Sequence, residues 1–553
     1  MIKQQLAGLV THGIEQAQAA GTLPAFAIPA FSIDPAQRVE HGDYSCSVAM
    51  KLASVTKRPP LQIAQAIAAQ IPATELVSNS QAVAPGFINF TLNPIWIARQ
   101  TGAILDAGDS YPPLGLGQGQ RVQVEHVSAN PTGPLTVGSA RNAAIGDTLA
   151  RTLAAAGYAV EREYYINDAG SQVRHFGESV YARYRQALGQ AEPFPEDGYK
   201  GAYIADIADS IITREGNKYL EMPKEQAIRL VGRIGIDAML TDIRETLTLM
   251  NVEFDTWFSE ASLYSSGLFN RVFKMLEDKG LTLDSEDATW FAATQLGLEK
   301  DAVLIRSAKV IPNPDERPTY LASDAAYVWN KLAERKFDKA IYVWGADHHG
   351  DVARVLALTR ALGLDVTRAV ILIYQLVTLK RNGEPVRMSK RSGEFITLRE
   401  VLEEVGSDAV RFMLITRSAD STMDFDLGLV KQQSEDNPVY YVQYAHARIV
   451  SILRIARERG FTEEGGDVGR LTHPSERALI LKMIRMEEVV EIVSSRLEPH
   501  HLAHYALELA SAFTKFYDDC RVLPSEMQPV EPETTRARLL LVRAAKQVLA
   551  RTL

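Results

Sequence analysis

The sequence predicts an α/β protein: a doubly wound, largely parallel sheet, with a smaller α+β region before it, a helical insertion within it and a helical bundle after it. Three observations predict this class. Strand-like and helix-like segments alternate from 121 to about 430, the pattern of βα units. Two of the strands, KAIYVWGA (339–346) and AVILIYQLVTL (369–379), are nearly continuous β-branched and aromatic runs, as buried parallel strands are. From about 437 onward the strand signal stops and long amphipathic helical patterns take over.

The elements follow in order. At the N-terminus, Ile2, Leu6, Leu9 and Val10 recur at helical spacing between polar residues, so the segment is an amphipathic helix and lacks the apolar core of a signal peptide. GFINFTL (86–92) alternates apolar and polar residues and reads as a strand. YPPLGLGQGQ (111–120) reads as a linker. RVQVEHV (121–127) is a strand, VGSARNAAIGDTLARTLAAAG (137–157) a helix closed by Gly157, and YAVEREYYIN (158–167) a strand. Residues 185–285 are helical and charged and read as an insertion. The expected domains are 1–110, 111–430 and 431–553.

Composition narrows the class of protein. A chain of 553 residues is too long for one core. With 46% hydrophobic and 23% charged residues it is neither disordered nor fibrous. Cys46 and Cys520 are the only cysteines and lack metal-ligand spacing, which argues against a disulfide framework or zinc site and fits a reducing cytoplasm. No run approaches a membrane span in length. The net charge is −9, yet residues 440–553 carry 16 basic and 15 acidic side chains. A local basic face suffices for an RNA partner, so composition permits one without predicting it.

Two segments carry chemistry. In SANPTGPLTVGSARN (128–142) a Pro/Gly loop follows a strand and a helix opens near Val137, with Gly138 and Ser139 in its first turn. Free N–H groups and the helix dipole favour phosphate there, and glycine lets a flat base approach. The other reading is a plain βα loop. In EPVRMSKRSGEFITL (384–398) a loop carries Arg387, Lys390 and Arg391, which suits closure on polyphosphate. By itself such a loop is a solvated face.

LTVG, followed by Ser139, resembles the HIGH signature of class I aminoacyl-tRNA synthetases, and RMSKR resembles their KMSKS signature. The flanking text is more specific. HGDYSCSVAMKLA (41–53), GFINF (86–90), VEHVSANPTGPL (124–135), REYYINDAG (162–170), WFSEASLY (257–264), VLIRS (303–307), TYLASDAAY (319–327), WGADHHG (344–350) and ELASAFTKFYDDCRVL (508–523) resemble the arginyl-tRNA synthetase family, in order along almost the whole chain.

The resemblance implies a Rossmann-like catalytic domain with ATP, accompanied by Mg²⁺, as substrate. It further implies arginine and tRNA(Arg) as partners, transfer to the 2′-hydroxyl of the terminal adenosine, and a tRNA that must be present for activation. It places Glu125, Asn130, Tyr320, Asp324 and His348 around arginine. It places Thr136, Gly138, Ser139, Met388, Ser389 and Lys390 around ATP. Lys390, assisted by Arg387, Thr136 and Ser139, is expected to stabilise the transferring phosphate. Carboxylates suit a planar guanidinium. The alternatives are a strand-end salt bridge for Glu125 and a helix N-cap for Asp324. His348 and His349, being adjacent, do not face one metal, and no bound protein metal is expected.

Two departures from the family stand out. Thr136 and Ser139 replace the histidines usual in the HIGH motif, so hydroxyls without charge stand in for imidazoles. Many members lack the KMSK lysine and carry another lysine in the loop before HIGH. Here Lys390 is kept and that place is Gly133. An active variant is expected, with an inactive paralogue as the alternative. For RNA, the 1–110 region resembles a D-loop-reading domain, with Phe87, Asn89 and Phe90 as candidates, at least one of which strand alternation makes core. The C-terminal region resembles an anticodon-binding bundle, with Tyr441 and Tyr444 on one helical face that could equally be core. A short C-terminal tail usual in relatives is missing. A small-molecule adenylyltransferase and a non-enzymatic RNA binder are the competing readings. The protein is expected to act as a cytoplasmic monomer.

Overall fold

The computed structural model describes residues 1–36, 38–307, 309, 317–386, 396–434 and 437–553. The chain divides into two units: residues 114–441 with 490–504, and residues 1–113 with 442–489 and 505–553. The two terminal regions, expected as separate domains, thus fall in one unit.

The larger unit is built on a five-stranded parallel sheet. Its order is Ala369–Tyr374, Lys339–Gly345, Arg121–Glu125, Ala159–Ile166, Thr256–Ser259. The chain starts in the middle, winds outward through Ala159–Ile166 and Thr256–Ser259, and returns to the other side with Lys339–Gly345. The order reverses between Arg121–Glu125 and Lys339–Gly345, and α/β sheets bind ligands at the carboxyl ends of strands flanking such a switch.

The first crossover is the helix Val137–Ala155, buried along most of its length. Ala140, Ala143, Ala144 and Gly146 keep that buried surface small. Gly146 is obligatory: a Cβ there would lie 2.3 Å from both Cβ and Cγ of His126. Gly146→Ala is therefore expected to destabilise by about 1–3 kcal/mol through overpacking, in spite of alanine's helix preference of about 1 kcal/mol. Thermal denaturation checks this.

Two expectations need correction. The run 369–379 is two strands in different sheets. Ala369–Tyr374 is an edge of the parallel sheet, whereas Val377–Arg381 pairs with Glu384–Pro385 and Met423–Asp426 in a small sheet of its own. Continuous apolarity hid the break at Gln375 and Leu376. The insertion is also not one block from 185 to 285. Its helices Ser171–Ala187, Ala202–Glu215 and Lys224–Leu249 pack around Phe176, Tyr184, Ile204 and Val231. Thr256–Ser259 then returns to the main sheet, and Thr282–Ser285, Ala288–Phe291 and Ala302–Ile305 form a separate antiparallel sheet. A four-residue strand, TWFS, is too short to show a period.

The other unit joins a four-stranded antiparallel sheet, containing Phe87–Leu92, to helices from both ends of the chain. Buried Asp43 accepts two bonds from Arg477 and one from the Leu92 N–H. Tyr44 donates to Glu488 at 2.6 Å, and Gln547 donates to the carbonyls of Ile104 and Gly108. Cys46 and Cys520 are buried and unpaired, with burial pushing both thiols up to about 11. Among the described residues no helix is long and apolar enough to cross a membrane.

Candidate active site

A cavity of about 810 Å³ opens at the carboxyl end of the parallel sheet. Its floor comes from Glu125 and Tyr342 on adjacent strands. One wall is the face of the helix Tyr320–Trp329 carrying Tyr320, Asp324 and Tyr327, and the far side carries Trp344, Asp347, His348 and Asp351. Five residues expected around arginine, namely Glu125, Asn130, Tyr320, Asp324 and His348, all line this one cavity.

The loop leaving Arg121–Glu125 is held in an unusual backbone. Val127 and Ser128 have φ of 65° and 41°, a region costly for a β-branched residue. Asn142, from the next helix, stabilises it by accepting from the Val127 N–H at 2.7 Å and donating to the Val343 carbonyl at 2.9 Å. Strain and its clamp both sit at the cavity mouth. Asn130 donates to Gln172 at 2.7 Å.

Asp324 lies inside its helix, whose N-cap is Thr319, so the N-cap reading falls. Burial, then the charges of Glu125, Glu260 and Asp351, push its carboxyl well above the usual carboxylate range, with Lys331 opposing. A carboxyl in that state is poised to ionise when a cation arrives. Tyr320, four residues earlier, is half exposed at the cavity. Glu125 is buried, and its Oε2 accepts from the ammonium of fully buried Lys331. The salt-bridge alternative for Glu125 is therefore present together with its place in the cavity. His348 is exposed between Asp347 (3.7 Å) and Asp351 (3.5 Å).

Sequence reasoning did not single out Glu260 or Lys331. Glu260 is buried, accepts from Ser323 at 2.7 Å, and is pushed up to about 7 chiefly by burial, with Asp168 adding to the rise. Glu260 stands in WFSEASLY, quoted only for its family likeness. Nothing in NKLAERK (330–336) marks Lys331 as buried.

The nucleotide residues divide. Thr136 is the N-cap of Val137–Ala155 and makes no side-chain cap bond, and Gly138 and Ser139 form the first turn. The Gly138 carbonyl accepts from Tyr374, which lines the cavity, at 3.4 Å. Buried Arg141 donates to the carbonyls of Gln375, Ser418 and Ser421, tying this helix to the chain around the small sheet. Arg387, Met388, Ser389, Lys390 and Arg391 lie outside the described residues. A Cβ at Gly133 would lie 3.0 Å from the Tyr203 hydroxyl.

Behind the site, His126 is fully buried against Phe254, at 4.4 Å between rings, and burial lowers it to about 4. The unfolded chain binds a proton near 6.5 and the folded one only near 4, so stability is lost as pH falls through that window. The expected loss is about 3 kcal/mol. Urea titrations from pH 7 to 4.5 should show this slope, and His126→Leu should flatten it.

For RNA, Phe90 is core and Phe87 half-buried. Asn89 is buried with its Oδ1 accepting from Ser45 at 2.9 Å, so little of it is left to read a base. On the helix Pro438–Glu458, Val442, Ala445 and Ile449 form the buried face. Tyr444 is exposed, with the Arg448 guanidinium over its ring at 4.7 Å and over that of Tyr517 at 4.4 Å. Tyr441 is half-buried.

A parallel sheet that reverses about its first strand, with a cavity at the switch and a helix N-terminus beside it, defines a nucleotide-binding α/β domain. The family model for the catalytic domain of class I (R) tRNA synthetases matches it over residues 102–426. The arginyl tRNA synthetase N terminal domain model matches 4–92, and the DALR anticodon binding domain model matches 442–553. The arginine–tRNA ligase of Dehalococcoides mccartyi is 47% identical over 552 residues, covering 100% of this chain and 97% of that one. A putative arginyl-tRNA synthetase structure from Campylobacter jejuni matches with TM-score 0.74 and 30% identity, over 83% of this chain and 97% of that one. The Thermus thermophilus arginyl-tRNA synthetase shares the fold with TM-score 0.74 at 24% identity, over 100% and 98%. The chain belongs to the arginyl-tRNA synthetase family.

Proposed function

We propose that the cavity at the sheet's switch point is where arginine is activated. The chain is an arginine–tRNA ligase and carries out arginyl-tRNA aminoacylation in protein synthesis. The observation that carries the site reading is the placement of Glu125 and Asp324, from a strand and a helix, on one cavity where their charges interact.

The guanidinium lies between these carboxylates under Tyr320, while Asn130 and His348 hold the amino-acid end. ATP sits with its adenine near Gly138, its phosphates facing the first turn at Thr136 and Ser139, and Mg²⁺ travelling with it. Met388, Ser389 and Lys390 belong to the ATP-binding set, and Lys390, assisted by Arg387, stabilises the transferring phosphate. The arginine carboxylate oxygen attacks the α-phosphorus, the bond to the bridging oxygen breaks, and pyrophosphate leaves. The 2′-hydroxyl of the terminal adenosine then attacks the arginyl carbonyl, loses its proton, and AMP leaves. Both steps rest on positioning and on charge stabilisation. Residues 1–110 read the tRNA corner, where Phe87 is more accessible than Asn89. Residues 431–553 read the anticodon, where Tyr441 and Tyr444 stack on bases. Residues 111–430 form the catalytic domain. The enzyme works as a cytoplasmic monomer.

ATP–pyrophosphate exchange tests this reading. Exchange that depends on arginine, with tRNA present, is the expected result. No exchange even with tRNA would overturn this assignment of the site.

A further inference from the structure

The helix Tyr320–Trp329 does not end as an α-helix. It continues as a π-helical turn, Asn330–Glu334, a distortion that concentrates at functional sites. Lys331 lies in that turn and is fully buried. Its ammonium sits 3.9 Å from the centre of the Tyr327 ring and 3.6 Å from that of Tyr342, and it donates to Oε2 of Glu125. Beneath it, Glu163 accepts from Tyr327 and from Gln123 and pairs with Arg335.

A buried ion pair is a poor stabiliser, and well-packed apolar residues are often as good or better. The geometry gives this one a different task. With Oε2 engaged by Lys331, Glu125 has its orientation fixed and fewer lone pairs left for a guanidinium in the cavity it lines. The pair is neutral, and Asp351 is matched by Arg354 at 2.9 Å. Asp324, which lines the cavity with Asp301 and Asp347, makes no ion pair with another described residue and interacts with the charge of Glu125, so it is placed to answer a cation. We propose that Lys331 is a positioning residue that orients Glu125 and so sets the site's charge for one guanidinium shared between Glu125 and Asp324. This rests on the reading of the cavity as the arginine site.

Lys331 faces Glu125, Glu163 and Arg335 and the rings of Tyr327 and Tyr342, and Asp324, on which its charge also acts, faces Glu125, Glu260 and Asp351 as well. Its charge opposes the rise at Asp324. Without it, arginine binding requires a higher pH.

The test is ATP–pyrophosphate exchange with tRNA for the full chain carrying Lys331→Met, Glu125→Gln or both. Lys331→Met is expected to raise KM for arginine roughly 10- to 100-fold, to leave KM for ATP and kcat within about threefold, and to move the acid limb of the arginine profile up by about one pH unit. Lys331→Arg should keep the wild-type limb. Above the acid limb, where Asp324 is ionised whichever residue stands at 331, Lys331 acts through Glu125 and the double variant should match Glu125→Gln alone in arginine KM, a comparison that holds even if Lys331→Met by itself does not fold. An additive loss in the double variant, or an equal rise in the KM values for ATP and arginine without a pH change, overturns the proposal. If Glu125→Gln leaves the arginine KM unchanged, the failure lies instead in the reading of the cavity.

Discussion

Asp324→Asn is expected to lower kcat/KM for arginine about 10²- to 10³-fold, as loss of one partner of a buried charge pair costs roughly 3–4 kcal/mol. The amide is nearly isosteric, so the effect isolates the charge. It also presents an N–H₂ to a ligand that is all donor. The pH dependence follows from the carboxyl's position. Burial, Glu125, Glu260 and Asp351 raise it well above the usual carboxylate range in the empty site. Below that raised value the carboxyl holds a proton that arginine must expel, so KM for arginine falls as pH rises and levels off once the group is ionised. Asp324→Asn should flatten this dependence, and calorimetry in two buffers should show proton release on arginine binding to the wild type only. An unchanged KM in the variant would remove Asp324 from the pocket.

The second large effect belongs to Lys390. Lys390→Ala is expected to lower the rate of arginine-dependent exchange about 10²- to 10³-fold, the usual consequence of losing a donor to developing charge, with KM for arginine nearly unchanged. The structure supplies the reason indirectly. Thr136 and Ser139 bring hydroxyls and the N-terminus of Val137–Ala155, but no full charge. A Cβ at Gly133 would crowd the Tyr203 hydroxyl, which donates to the Thr132 carbonyl at 2.8 Å. We propose that the 387–391 segment supplies the cation. Exchange that survives Lys390→Ala within threefold would assign that task to Arg387 or Arg391.

How much of this was legible in the sequence depended on range. Arg121–Glu125, Val137–Ala155 and Lys339–Gly345 were readable because burial on both faces, or a helical period, leaves a local mark. The break after Tyr374 was not, since Gln375 and Leu376 fit a strand as well as a turn. Asp43 with Arg477 and Tyr44 with Glu488 join positions more than 400 residues apart, and no local pattern reports such pairs. Within the site, Glu125, Tyr320 and Asp324 were accessible through family likeness. Lys331 was not, because a lysine in a charged helix reads as solvated unless the π-turn that buries it is known.

If this cavity is the arginine site, the full chain charges tRNA with arginine and with no other amino acid. Aminoacylation of bulk tRNA by the full chain, scored for each of the twenty amino acids with ATP present, tests it most directly. Arginine alone should be attached, with lysine, a cation without the planar fork, at least about 10³-fold poorer in kcat/KM. Attachment of another amino acid in preference to arginine, or of none, would contradict the claim.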